Sequence, residues 1–261
     1  VTTLNGVCTI MKKSADVTVT ANNLGKVYGE DDPELTAVVT GLVGDDTLDY
    51  TLSRAEGENV GEYAITVTLG NNPNYDAAAL NGTFTITKKD ATITANDISK
   101  VYGTNDPELT ATVDGTVGKD KLNYTLERAE GENVGEYEIT VNPGENPNYD
   151  VTVTNAKLTI EKADIKPVVT LEGWTYGDEA NKPSVTGNIG HGDVAYAYAK
   201  KGSDEFSSDV PTDAGDYTVK AVIAETANYN GGEATADFTI AKADITPTVT
   251  LDGWTYGDEA N

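Results

Sequence analysis

Acidic side chains beside glycines are the groups in this chain most suited to chemistry. Residues 29–32 read Gly-Glu-Asp-Asp and residues 44–46 read Gly-Asp-Asp. Paired carboxylates can serve acid–base catalysis of glycoside hydrolysis, and clustered hard oxygen ligands can bind calcium. Later copies of the two stretches, residues 103–106 and 118–120, contain fewer acids, and no Asp-x-Asp-x-Asp-Gly loop is present. We therefore interpret these acids as turn formers and solvated faces, and predict no metal site.

Two aligned lysines are candidates for a second chemistry, a self-formed amide cross-link, which we do not expect to form. Lys26 and Lys100 take the same place in two copies of a repeated string, whereas Trp174 takes it in a third copy. Some surface modules of Gram-positive bacteria lock themselves with a Lys–Asn or Lys–Asp amide. A lysine buried beside a carboxylate is costly without such a purpose. The intact mass of the protein decides between an amide and free side chains.

The single histidine and the single cysteine exclude several kinds of site. His191 lies between Gly190 and Gly192, so we interpret it as a loop residue and not as a catalytic base. One Cys and one His cannot build a thiolate metal site, and one Cys cannot form an internal disulfide. Cys8 alternates with apolar neighbours, which predicts a buried packing role. No nucleophile elbow, phosphate loop or dinucleotide fingerprint is present, so we predict neither enzymatic activity, nor catalytic residues, nor a cofactor.

The negative charge of the chain disfavours two classes of partner, nucleic acids and anionic membranes. Its 18 basic and 43 acidic side chains give a formal net charge of −25. A field of that sign repels nucleic acid and anionic membranes, so we expect neither as a partner. No apolar run reaches the length of a membrane span, and residues 1–10 show no signal peptide. Because the sequence stops inside a repeat, we expect secretion or anchoring signals to lie outside it.

A string ending in Tyr-Gly occurs four times and divides the chain into repeats. Its tyrosines are Tyr28, Tyr102, Tyr176 and Tyr256, at spacings of 74, 74 and 80 residues. Residues 17–67 and 91–141 share 36 identities in 51 positions, which indicates internal duplication. We predict three repeats, at residues 14–88, 89–162 and 163–242, of which the third is divergent. Residues 1–13 are expected to be the last strand of a preceding repeat, and residues 243–261 the opening strand and turn of the next.

The elements that position these residues are predicted to be strands. Apolar and polar residues alternate in most segments, as at Tyr63, Ile65 and Val67, and period 2 is typical of half-buried strands. Asn81-Gly82 lies between two alternating runs and predicts a two-residue hairpin. No long helical apolar stripe is present. The recurrent tyrosines fall in strand phase or at fixed turns, which favours core packing over an aromatic platform for sugars. The fold class is therefore all-β.

The motifs together resemble a known family. K-V-Y-G-x-x-D-P-x-L-T, then G-E-N-V-G-x-Y-x-I-T, then N-P-N-Y-D and a closing F-T-I-x-K resemble the MBG ("mostly beta-grasp") repeats of large bacterial surface proteins. The resemblance covers the first two repeats nearly end to end and the third more loosely. It implies compact β-grasp-like modules strung in tandem in cell-surface or adhesin-like proteins, and it supplies no catalytic residues.

Two functions are compatible with these features. The first is a non-catalytic stalk or spacer of an extracellular bacterial protein, with the small modules arranged as an elongated rod. The alternative is an adhesive module that binds a glycan or a host protein. Near-identical copies favour the spacer, whereas a binding site would lie in the divergent third repeat, around His191, Tyr196, Tyr198 and Phe206. The ligand stays unknown, and a host glycan or protein could also be bound by other parts of a parent chain. The incomplete ends predict weak head-to-tail self-association.

Overall fold

The computed structural model describes residues 6–14, 16–257 and 259. Within these ranges the chain forms twenty β-strands and no helix, which confirms the all-β prediction. No helix in this part of the chain is long and apolar enough to cross a bilayer.

The first repeat contains two small sheets. Its strands are β1 (Thr18–Ala21), β2 (Leu24–Val27), β3 (Ala37–Thr40), β4 (Tyr50–Arg54), β5 (Gly61–Leu69), β6 (Ala78–Leu80) and β7 (Gly82–Thr87). One sheet has the order β3-β1-β6, with β1 antiparallel to β3 and parallel to β6. The other has the order β2-β7-β5-β4, in which β2 and β7 run parallel and the remaining pairs antiparallel.

The later repeats use strands at corresponding places. Those of the second are β8 (Lys89–Ala95), β9 (Ile98–Val101), β10 (Ala111–Asp114), β11 (Tyr124–Arg128), β12 (Gly135–Pro143), β13 (Tyr149–Thr154) and β14 (Ala156–Glu161). Those of the third are β15 (Val168–Thr170), β16 (Trp174–Thr175), β17 (Ser184–Thr186), β18 (Val194–Lys200), β19 (Gly215–Ile223) and β20 (Gly232–Ala241). The sheets include β10-β8-β13, β15-β17 and β16-β20-β19-β18.

The chain divides into two compact units, and the division passes through the second repeat. Unit 1 comprises Val1–Ile98, Glu108–Ala129 and Tyr137–Leu158. Unit 2 comprises Ser99–Pro107, Glu130–Glu136 and Thr159–Asn261. Unit 1 therefore combines the first repeat with part of the second, and unit 2 combines the rest of the second repeat with the third.

In unit 1, the core of the first repeat follows the predicted alternation. Along β5, Ile65 and Val67 are buried and Tyr63 is half-buried, while the residues between them are exposed. Phe84 on β7 is fully buried. The core also takes in the recurrent tyrosines, since Tyr75 is buried and Tyr28, Tyr50 and Tyr63 pack against the cluster. Core packing of these rings is thus confirmed.

In unit 2, the core of the third repeat centres on one aromatic ring. Phe238 on β20 stacks with Trp174, at 5.3 Å between ring centroids, and with Tyr217, at 5.7 Å. The inward face of β19 is continuous with this stack, because Val219 and Ala221 are fully buried. Aromatic pairs of this kind add roughly 0.5–1.5 kcal/mol beyond the area they bury. A tryptophan in the lysine position therefore enlarges the core of this repeat.

The predicted hairpin at Asn81-Gly82 is wrong. β6 pairs with β1 in one sheet and β7 pairs with β5 in the other, so the two residues carry the chain between sheets. The Asn81 side chain accepts a hydrogen bond from the Val67 amide at 3.0 Å. A Cβ on Gly82 would lie 2.9 Å from the Ala21 carbonyl oxygen. The second repeat has Ala156 at the equivalent position, so the crossing between sheets does not itself require glycine.

The two ends differ from the strands expected there. Cys8 is exposed, so the buried role predicted for it is wrong. Residues 6–12 form no strand, and only Lys13 makes a bridge, to Tyr75. Residues 243–255 also form no strand, although a turn follows at Tyr256-Gly257. The apolar side chains of both segments lack partner strands that could bury them. Residues 1–5 of the expected first strand lie outside the described residues.

Candidate functional site

In the first repeat, the lysine of the Tyr-Gly string lies in a charged cluster. Lys26 on β2 has a side chain only 4% exposed, and its Nζ lies 2.8 Å from Asp32 Oδ1. It also pairs with Glu58. Arg54 on β4 donates to both carboxylates, so two cations share two anions. The ring of Phe84 lies beneath this arginine, with Cζ 5.0 Å from the ring centroid. The two cations are therefore buried, and both acids are engaged in ion pairs with them while staying partly in water.

Unit 2 contains the second copy of the lysine site. The Nζ of Lys100 lies 2.6 Å from Asp106 Oδ1 and 2.7 Å from Glu132 Oε2. It also donates to the Thr104 carbonyl at 3.2 Å. The lysine is buried as Lys26 is, while its acid partners stay partly in water. The same residue types thus produce the same ion pairs in both repeats.

The charge states in the first copy oppose amide formation. Joining Lys26 to Asp32 requires a neutral amine and a protonated carboxyl group, with loss of water. Hydrogen bonds that Lys26 donates to Asp32 and Glu58 raise the pKa of Lys26 above its usual value. Hydrogen bonds from Arg54 and then Lys26 lower the pKa of Asp32. Both shifts favour the ion pair over the reactive neutral pair.

We therefore expect an intact mass equal to the sequence mass. An amide at either lysine would remove one water, and the two sites are separable by peptide mapping around Lys26 and Lys100. Lys26→Arg is the matched control, since arginine can form the ion pairs but no such amide. A mass lower by one water in the parent chain and restored in Lys26→Arg would contradict this interpretation.

Other acids of the candidate clusters are held by tyrosines. Tyr75 donates its hydroxyl to Asp46 and accepts from the Val43 amide at 3.1 Å. In the second repeat, Tyr149 donates to Asp120 at 2.6 Å and accepts from the Val117 amide at 2.9 Å. These carboxylates fix the ends of buried rings. Within the described residues, no group of three or more His, Cys, Asp or Glu side chains is placed to hold a metal ion.

The Tyr-Gly turn of the first repeat contacts the second repeat inside unit 1. Tyr28 meets Tyr149 edge to face, with 5.4 Å between ring centroids, and donates its hydroxyl to Asp120 at 2.9 Å. The two tyrosine hydroxyls lower the pKa of Asp120 because they hydrogen-bond to its charged form. Gly29 is required here, since a Cβ would lie 2.4 Å from Val117.

A side-chain amide completes this junction. Asn148 accepts from the Val60 amide at 3.0 Å through Oδ1 and donates to Asn59 Oδ1 at 2.9 Å through Nδ2. The turn of Asn59 is itself held by Tyr63, whose hydroxyl donates to the Asn59 carbonyl at 2.8 Å. Two directional bonds from one amide fix the register of the contact.

Unit 2 repeats the arrangement between the second and third repeats. Tyr102 meets Tyr229 edge to face at 5.4 Å. Asn228 accepts from the Val134 amide at 2.9 Å and donates to Asn133 Oδ1 at 3.0 Å. The strings that mark each repeat in the sequence therefore meet between successive repeats. Sequence reasoning used them as landmarks but did not pair them, although their recurrence at turns, outside the strand pattern, was a usable signal.

The third-repeat residues singled out as a ligand site do not form one open surface in unit 2. Tyr198 is 7% exposed and belongs to the core, and Tyr196 packs against that core. Phe206 is half-buried beneath Lys220, whose Nζ lies 5.6 Å from the ring centroid. His191 is exposed, with a φ of 55° that matches its predicted place in a turn.

The comparisons with known families identify the repeats. Residues 17–85 and 91–159 match the MBG domain of the YGX type, and residues 168–244 match a further MBG domain. The chain belongs to the MBG domain family. The matched ranges show tandem MBG domains, as the sequence motifs predicted, and the two YGX-type ranges contain Tyr28 and Tyr102, the tyrosines found at the junctions.

No curated protein matches this MBG chain. Solved structures align with it at low scores. Drosophila N-cadherin EC1-3 gives a TM-score of 0.30 at 10% identity, over 87% of this chain and 99% of the other. The three N-terminal domains of the bacteriophage RB49 outer capsid protein Hoc give 0.26 at 15% identity, over 87% and 99%. The four N-terminal Ig domains of Dscam1 isoform 9.44 give 0.26 at 14% identity, over 88% and 73%.

Proposed function

We propose that these MBG domains form a non-catalytic spacer in a secreted or surface-attached, adhesin-like bacterial protein. Family membership supports a role as tandem domains of surface proteins. The spacer role is supported by one observation above all. The contact between successive repeats is built twice from the same residue types, with an edge-to-face tyrosine pair and a two-bond asparagine. A spacer needs joints that recur with each added unit.

The ion pairs and hydrogen bonds of the acidic side chains support a non-catalytic role. A general base or nucleophile must reach a substrate, with its proton partner in place. Here Asp32 pairs with Lys26 and Arg54, and Asp120 accepts from two tyrosines. These acids are engaged in holding turns and junctions. The alternative, a ligand site in the third repeat, has less support because Tyr198 is buried in the core.

Small-angle X-ray scattering on the dilute chain tests the spacer. Three repeats joined as a rod about 100 Å long have a radius of gyration of roughly 30 Å. A single compact domain with the same number of residues has a radius of gyration of roughly 18 Å. We expect the larger value. A result near the smaller one would refute an extended spacer.

A variant at a joint sharpens the same experiment. Asn148→Ala removes both amide bonds to Asn59 and Val60, and should broaden the distribution of interatomic distances. Asn74→Ala is the matched control, because Asn74 is the equivalent asparagine in the first repeat and no junction contact of its side chain is present in the described chain. Equal broadening in both variants would mean that the asparagine acts within its own turn and does not fix a joint.

A further inference from the structure

The first two strands of the first repeat run side by side with its last two strands. β1 pairs with β6 over three residues and β2 pairs with β7 over four, and both pairs are parallel. In both pairs each residue lies opposite the one 60 positions later, as Thr18 lies opposite Ala78. One register therefore extends across both sheets of the repeat. We call this pair of segments, residues 18–27 and 78–87, the parallel clamp.

Hydrogen bonds outside the strands continue the parallel clamp. Where the two segments pass from one sheet to the other, the Thr83 amide donates to Asn23 Oδ1 at 2.8 Å. Beyond the end of β2, the Tyr28 amide donates to the Thr87 carbonyl at 2.9 Å. The two segments are thus joined through the crossing as well as within each sheet.

The direction of the strands decides how tension would act on this pairing. The chain enters the first repeat at the start of β1 and leaves it at the end of β7, where β8 follows. Because the paired strands are parallel, these two points lie at opposite ends of the parallel clamp. Tension along the chain would slide one segment past the other and strain all of the hydrogen bonds between them together. If both segments were pulled from the same end, the bonds would open one after another.

We propose that the parallel clamp makes the first repeat a tension-resistant unit, which stays folded while the chain on either side of it is pulled. The resistance is kinetic, since forced unfolding depends on the rate of unfolding and not on equilibrium stability alone. Sliding the clamp breaks its bonds before the core can open, so the clamp sets the barrier. The tension comes from the spacer role, so the use of the clamp rests on the proposed function, whereas the resistance itself belongs to the folded repeat.

The other repeats differ in the extent of this pairing. In unit 1, β8 pairs with β13 in parallel over six residues, again with partners 60 positions apart. In unit 2, β16 pairs in parallel with β20 over two residues, and β15 pairs with β17 in a separate sheet. A single parallel bridge joins Ala163 to Tyr229 in that repeat. Fewer bonds of the third repeat would be strained together, so we expect it to unfold at a lower force than the first.

Single-molecule pulling on the full chain, from two directions, tests the proposal. Cys8→Ser frees the chain of its own cysteine, so that new cysteines can carry the handles. Handles at Ser14→Cys and Lys88→Cys pull on opposite ends of the parallel clamp, whereas handles at Ser14→Cys and Asp76→Cys pull on the same end. All three attachment residues are exposed. We expect a clearly higher unfolding force for the first pair, and equal forces would refute the clamp.

Two asparagine variants test which bonds set the barrier. Asn23→Ala removes the bond from the Thr83 amide inside the parallel clamp, and Asn81→Ala removes the bond from the Val67 amide, which joins the clamp to β5. With handles at opposite ends, Asn23→Ala should unfold about fivefold faster under constant load, since a hydrogen bond contributes about 1 kcal/mol. Asn81→Ala is the matched control and should leave this rate nearly unchanged, because its bond persists until the clamp has slid. Equal acceleration in both variants would contradict the proposal.

The third repeat provides a comparison within the same chain. Handles at Lys166→Cys and Lys242→Cys, both exposed, enclose β15 to β20 of unit 2. We expect a lower unfolding force there than for the first repeat pulled from opposite ends. An equal or higher force would mean that parallel pairing does not set the resistance. An unloaded chain that scatters as a compact particle but shows the expected forces would refute the spacer alone, and an extended chain without a direction-dependent force would refute the clamp alone.

Discussion

Phe84→Ala is expected to lower the free energy of unfolding of the first repeat by about 4 kcal/mol. Phe84 is fully buried and lies in the core cluster of a repeat of only 75 residues, so few other groups can compensate. Truncation of a buried phenylalanine to alanine removes its transfer free energy and leaves a cavity, together about 3–5 kcal/mol. The guanidinium of Arg54 also loses the ring beneath it.

A leucine control distinguishes lost volume from lost aromatic contact. The second repeat has Leu158, also fully buried, at the position of Phe84, so the fold accepts leucine there. Phe84→Leu should cost less than about 1.5 kcal/mol, in the range of well-tolerated apolar replacements. Because several repeats need not unfold together, native-state hydrogen exchange of the β5 and β7 amides is the suitable measurement. Equal losses in the two variants would show that the ring, and not the filled volume, stabilises this core.

Gly41→Ala is expected to lower the free energy of unfolding of the first repeat by about 3 kcal/mol. Gly41 has a φ of +81°, a left-handed conformation that costs other residues roughly 1–2 kcal/mol. An added Cβ would also lie 2.2 Å from the Asp16 carbonyl oxygen, which is backbone and cannot turn aside as a side chain can. Relieving such an overlap costs about 1–3 kcal/mol in packed structures. Gly115 and Gly187 take the same position in the later repeats, with φ of +84° and +76°.

Gly44→Ala provides the control within the same loop. Gly44 has a φ of +58°, but no atom lies within 4 Å of the position its Cβ would take. Only the conformational cost of about 1–2 kcal/mol applies. Hydrogen exchange of the β1 and β3 amides should therefore show a clearly larger loss for Gly41→Ala. Equal losses would mean that the turn at Asp16 moves away freely, and that the close approach is not a constraint of the fold.

The strands and the core could be predicted because they depend on local pattern. Alternation along β5 and β19 places apolar residues on one face, and that face is buried. The rule is robust because a shift of one residue would expose every apolar side chain of a strand. The same reasoning found the buried role of Tyr75, since its place in the repeat is fixed.

The incorrect predictions concern segments whose structure depends on contacts with residues distant in sequence. Asn81-Gly82 has a hairpin sequence, but the flanking strands pair with other strands. β6 pairs with β1 and β7 pairs with β5, so they belong to different sheets. Cys8 lies in an apolar stretch that finds no strand to pair with, so it stays exposed. The junction joins Asn148 to Asn59, far apart in sequence. Local pattern contains no information about which turn of one repeat meets which turn of the next.

The two-bond asparagine at each junction has a genetic consequence. The second repeat carries both halves of the joint: Asn148 receives the turn of the first repeat, and its own turn at Asn133-Val134 is received by Asn228. Because Asn59-Val60 and Asn133-Val134 are identical, a recombination event that removes or duplicates the second repeat brings together halves of the same residue types. Selection can adjust the length of such an array in single steps, while the near identity of the first two repeats, 36 of 51 aligned positions, supplies the homology on which unequal crossing-over depends.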